Sequence, residues 1–162
     1  MPLYLNHPGV AGCVANIVAF VAVLLLVNVP APFLGLEFDD DTPANVLLAP
    51  PGWLVVVAWL VLFPAMGVAR WLLLGTDWGG GAIFGLAVLC ATYAYYTLGL
   101  AKLTAISPAV FGLVGNLVVI AVASRIAVRV APLQGTAAGL IALVALWTAF
   151  ASISVVQIVA KL

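Results

Sequence analysis

The stretch Ala49–Trp71 reads APPGWLVVVAWLVLFPAMGVARW. Two prolines and Gly52 lead into it, Trp53 and Trp59 punctuate it, Pro64 interrupts it and Arg70 stands near its end. Its apolar length is sufficient for one membrane crossing, which needs about 20 residues of helix. Spanning alone requires neither tryptophans nor prolines, so their placement points to a second requirement. Pro50 and Pro51 suit the end of a loop and the first turn of a helix, where a missing N–H would be unpaired in any case. From there Trp59 lies about 9 Å deeper than Trp53 and about 120° away round the axis. Trp53 is therefore expected at headgroup level, where aromatic belts form, and Trp59 on the bundle interior. Val56, Trp59, Phe63, Met66 and Arg70 share one stripe of the helix. Pro64 removes one backbone hydrogen bond and predicts a bend, which membrane helices tolerate when neighbours re-satisfy the carbonyl.

The composition around this stretch sets the class. Of 162 residues, 67% are hydrophobic and 6% charged, against roughly a quarter charged in soluble domains. So few charges cannot cover a water-facing surface, and the chain reads as an all-α integral membrane protein. The net charge is formally zero, and no basic patch exists for nucleic acid. The two cysteines, Cys13 and Cys90, fall inside apolar runs and form no disulfide framework. The N-terminal MPLYLNHPGVAG has no Lys or Arg before the first apolar run, so that run is expected to persist in the mature protein.

Five runs are long enough to span: about 9–28, 52–74, 82–101, 108–129 and 136–160. Prolines and glycines in the intervening breaks mark helix ends. The reading is a single domain, a bundle of five transmembrane helices. Its long acidic loop, about 30–51, holds Glu37, Asp39, Asp40 and Asp41. Thr42-Pro43 resembles an N-cap followed by proline, so 43–49 is expected to form a short helix. The acidic run reads as a solvated surface. A Ca²⁺ site would want alternating carboxylates and a closing glutamate, and neither is present. Arg70, Arg125 and Arg129 lie near one membrane face, against Lys102 and Lys161 on the other, which orients the N-terminus to the cytoplasm by the positive-inside rule.

Three spans carry aromatic stripes. The second has Trp59 and Phe63, and the third has Cys90, Tyr93 and Thr97 on one face with Tyr96 beside it. The last has Trp147, Phe150, Ala151 and Ser154. Tyrosines at depth need hydroxyl partners, because an unpaired hydroxyl in hydrocarbon costs a few kcal/mol. Converging stripes would form an apolar pocket with a few hydrogen-bonding groups, the description of a small-molecule site; the alternative is that they only pack the bundle. Asn16, Asn116 and Gln157 read as interhelical glue, and Gly135 with Gly139 makes a surface open to close helix approach. No carboxylate sits mid-span as a proton-coupled transporter would want. The single histidine, His7, has no partners for a metal or a nucleophile. Only Tyr93, Tyr96 and Cys90 offer proton chemistry at depth, so an enzyme acting on a tetrapyrrole or lipid is the least favoured reading.

The entry Pro50-Pro51-Gly52-Trp53, Trp59 six residues on, Phe63 four later and then Ala65-Met66-Gly67 together resemble the second-helix signature of the TspO/MBR family of tryptophan-rich sensory proteins and translocator proteins. Trp147 and Phe150 look like that family's Trp-x-x-Phe, and five spans with a long first loop fit it as well. The resemblance implies a five-helix bundle, often dimeric. It would bind a porphyrin or other tetrapyrrole, a sterol-like or a benzodiazepine-like molecule between helices two, three and five. The residues carried over are Trp53, Val56, Trp59, Phe63, Cys90, Tyr93, Trp147, Phe150 and Ala151, with Tyr96 beside them. Asp39-Asp40 and Asn45-Val46 stand where the family carries Trp-Tyr and Lys-Pro, and Cys90 and Tyr93 replace its Asn and Trp. Those departures favour the alternative of a structural or assembly subunit, whose aromatic faces pack against partner helices or pigments in a larger membrane complex.

Overall fold

The computed structural model describes residues 4–37, 46–76 and 80–162. Their regular structure is entirely helical: α1 (Val10–Asn28), α2 (Gly52–Leu72), α3 (Gly81–Ala91), a π-helical turn (Tyr95–Gly99), α4 (Leu100–Thr104), α5 (Pro108–Val130) and α6 (Gly135–Val159). Short 3₁₀ turns precede and follow α1. Four of these helices are long and apolar enough to cross a membrane, and α3 with the segment to Thr104 makes a fifth when that bent pair is counted as one span. The chain is an all-helical, multi-pass membrane protein.

The spans close into a ring. α1 packs on α2, α2 on α6, α6 on α5, α5 on the third span, and the third span back on α1. Chain order and ring order therefore part company: the second span neighbours the last, not the fourth. The interior is filled by Phe20, Phe63, Met66, Leu86, Ile141 and Val144, each at most 1% exposed.

Close helix approach needs small residues where no hydrophobic force drives helices together. Gly67 is such a place. A Cβ added there would lie 2.9 Å from the backbone carbonyl oxygen of Asn16 on α1, and backbone cannot yield as a side chain can. Gly67→Ala is expected to cost about 1–3 kcal/mol, the range of overpacking. Gly85→Ala, whose Cβ meets nothing within 4 Å, should be neutral or stabilise by up to about 1 kcal/mol through helix propensity. Unfolding in mixed micelles, followed by tryptophan fluorescence, measures both; equal midpoints would remove the claim of a tight α1–α2 contact.

The third span is not the straight helix that the run 82–101 suggests. It bends by 53° between α3 and the segment from Tyr95. The cause is local: Thr92 Oγ1 donates back to the carbonyls of Val88 (2.9 Å) and Leu89 (3.2 Å), a competition with the helical ladder that bends helices. The amides of Tyr95 and Tyr96 both turn to the Thr92 carbonyl, which frees that of Ala91. Asn28 Nδ2 at the end of α1 takes it up at 3.2 Å. In return Tyr95 Oη donates to the carbonyl of Val27 at 2.7 Å, one of the last carbonyls of α1 that a helix end leaves unpaired. The break and the end of α1 satisfy each other.

α2 runs as one helix through Pro64. The acidic residues Asp39–Asp41 and the first part of the short helix expected over 43–49 lie outside the described residues; the remainder, Val46–Ala49, is a turn and not a helix, with Leu48 at φ 59°.

Candidate functional site

Tyr96 on the π-helical turn and Tyr93 just before it both face α5. A Cβ on Gly112 would lie 2.7 Å from Tyr93 Oη, and one on Gly115 would collide with the ring of Tyr96. These two glycines are a seat for the two rings, which meet edge to face at 5.5 Å and 74°. Short π-helical turns inside helices frequently mark functional sites. The Tyr96 hydroxyl is buried and has no hydrogen-bond partner. Asn116, one residue beyond Gly115, is only 6% exposed. Thr97 at 1%, Thr148 at 3%, Ser152 at 8% and Ser154 at 7% exposure are the other buried polar groups of the third and last spans among the described residues. Their hydroxyls donate back to their own helices.

The aromatic residues of the second and last spans divide into inward and outward sets. Phe63 is fully buried and meets half-buried Trp59 edge to face at 5.9 Å. Cys90 is buried at 6% exposure. Trp147 packs partly buried against the core and tilts on Phe150 at 5.7 Å. Phe150 is 37% exposed, Val56 60% and Trp53 67%, and Ala151 is half-buried. Trp59, Phe63, Cys90 and Trp147 thus reach the ring interior, Tyr93 and Tyr96 the α5 seat, and Trp53, Val56 and Phe150 the outer surface. The glycine seat had a signal in the sequence, two glycines three residues apart in Phe111–Asn116, but it is legible only once the opposing tyrosines are known.

The loop after α1 is tied down at both ends of its described part. Lys102 Nζ donates to the Gly35 carbonyl at 2.7 Å. Gln157 pairs its side-chain amide with both backbone groups of Leu47, each at 2.9 Å. The first tether stands at the end of the third span and the second near the end of α6. Gly35 is therefore held beside the third span and Leu47 beside the last, at the same end of the ring.

At the opposite end stands a polar knot. Asn16, fully buried, donates to the carbonyls of Leu5 and Gly12, both at 2.8 Å, and accepts from Arg70 Nη1. Arg70 also donates to the Leu5 carbonyl and to Asn6 Oδ1, each at 3.2 Å. The knot ties the N-terminal segment to α1 and α2. Beside it lies an open groove of about 560 Å³, lined by Arg70, Gly80, Gly81, Phe84, Gly85 and Val88. None of the aromatic residues singled out from the sequence borders it.

No family model matches the chain, and no curated protein and no solved structure is significantly similar to it.

Proposed function

We propose that the chain is a membrane receptor or carrier for a flat hydrophobic ligand of the porphyrin, tetrapyrrole or sterol-like kind. The ligand would be held between the second, third and last spans, its polar group reaching the tyrosines that the third span sets against α5. The observation that carries this reading is the Tyr96 hydroxyl, buried without a partner on a π-helical turn beside Tyr93. An unsatisfied hydroxyl in hydrocarbon is costly, and a ligand with a carboxylate, carbonyl or hydroxyl relieves that cost. The ring order supports it as well, because it makes α2 and α6 direct neighbours and brings Trp59, Phe63 and Trp147 to one core. That core is filled, so a ligand enters by displacing side chains and by lifting the loop that Lys102 and Gln157 hold. The resemblance to the TspO/MBR signature agrees with this reading, and a homodimer is part of the same proposal.

Titration with protoporphyrin, read by tryptophan fluorescence, tests it. Saturable quenching is expected, with Tyr96→Phe weakening binding by roughly tenfold, the worth of one hydrogen bond left unmade in an apolar site. Trp59→Ala should remove a large part of the quenching. No saturable quenching by any tetrapyrrole or sterol in a folded preparation, or identical curves for both variants, sinks the pocket.

A second reading has its own support. Trp53, Val56 and Phe150 point outward, and an aromatic outer surface suits a subunit that packs against partner helices or pigments. A stoichiometric partner co-purified from native membranes would favour it; a lone monomer or homodimer would count against it.

A further inference from the structure

The groove beside Arg70 has a shape and a charge that the ligand reading leaves unused. Its floor is α3. Gly81 and Gly85, four residues apart, lie on one face, and a Cβ on either would meet nothing within 4 Å. Between and beyond them stand Phe84, held edge to face on Phe20 at 5.2 Å, and Val88, 41% exposed. The result is a flat apolar strip running along the helix from its first turn towards the bilayer interior. At its outer end Gly80, with φ +125°, lies flat against Arg70, where a Cβ would approach Nε to 2.5 Å. The guanidinium's partners are two side-chain amides and one backbone carbonyl. All are neutral, and no carboxylate pairs with it among the described residues. A cation at the end of a bundle, above an apolar strip open towards the surrounding hydrocarbon, calls for an occupant with a negative head and a linear apolar tail.

We infer that this groove is a binding site for an anionic phospholipid, its phosphate against Arg70 and one acyl chain along Gly81, Phe84, Gly85 and Val88. Charge complementarity selects the head, and the unobstructed glycine face admits the chain. The occupant comes from the bilayer and not from water, because the strip opens sideways into lipid. The site is separate from the tyrosine seat, so neither reading depends on the other.

Native mass spectrometry of the purified protein with phosphatidylglycerol and phosphatidylcholine of identical acyl chains tests the inference. One phosphatidylglycerol should be retained over phosphatidylcholine by roughly fivefold, the attraction of a single basic residue for an anionic lipid. Arg70→Gln should abolish the preference. Gly85→Leu, which fills the strip without touching the knot, should lower retention of phosphatidylglycerol several-fold and keeps the test open if Arg70→Gln fails to fold. Equal retention of the two lipids, or a preference that survives Gly85→Leu unchanged, overturns the site. So does displacement of the lipid by millimolar inorganic phosphate, which would make the ligand a free anion. Asp77 follows Arg70 by seven residues in the chain; a preference appearing only in Asp77→Asn would mean that this carboxylate already neutralises Arg70, and overturns the site too.

Discussion

Asn16→Ala is expected to destabilise the bundle by about 3 kcal/mol, the largest single-residue effect that we foresee outside ligand binding. Asn16 makes three hydrogen bonds at full burial, and one of them accepts from a guanidinium. Bonds to charged groups are worth about 1.5–3 kcal/mol, while neutral polar bonds inside membrane proteins average well under 1 kcal/mol, because the unfolded chain in lipid finds other partners. The charged contact therefore decides the magnitude, and the two carbonyl contacts add the remainder. Removing the amide also leaves half-buried Arg70 with fewer acceptors, so the effect should couple to that residue. A double-mutant cycle with Arg70→Leu should give a combined loss at least about 1 kcal/mol smaller than the sum of the single losses. Strict additivity, or a single-mutant loss below about 0.5 kcal/mol, would show that the knot is incidental to folding.

Phe63→Ala should cost about 2–3 kcal/mol, less than the same change in a water-soluble core. The reason lies in the solvent. In water, deleting a buried ring forfeits both transfer from water and the packing around the cavity. In a bilayer the unfolded helix also keeps its ring in hydrocarbon, so only the cavity and lost contacts remain. Phe63 is fully buried and supports Trp59, so the loss should appear in unfolding midpoints and in Trp59 emission together. Trp53→Ala, at 67% exposure, is the comparison and should shift the midpoint little. A loss of 4 kcal/mol or more for Phe63→Ala would mean that its environment is wetter than the ring packing indicates.

How much of this was legible beforehand depends on the kind of force involved. Spans are written in the sequence because hydrocarbon excludes charge and turns gather proline and glycine: α1, α2, α5 and α6 lie where apolar runs are bounded by such residues. The inward face of α2 was legible for a related reason, since Phe63 and Met66 share a stripe at helical spacing and both are fully buried. The same stripe extended outward fails at Val56, which stands above the depth at which neighbours close round the helix. Phe150 shares a stripe with Trp147 yet is partly exposed, because periodicity gives a face but not its width. The break of the third span was not legible. It arises from Thr92 turning its hydroxyl onto its own helix and from Asn28 donating to the freed Ala91 carbonyl 63 residues away, a pairing that no local pattern announces. The tyrosine seat is of the same kind, since glycines on one helix matter only because of rings on another.

The two tethers of the long loop share a property with a consequence for how the chain can vary. Lys102 and Gln157 both bind backbone atoms, Gly35 and Leu47, and neither reads a side chain of the loop. The latch is therefore indifferent to what is written between its ends. What the two anchors hold is thus set by Lys102 and Gln157 and by backbone alone, so a side-chain change at Gly35 or Leu47 that leaves the backbone path intact leaves the tethers in place.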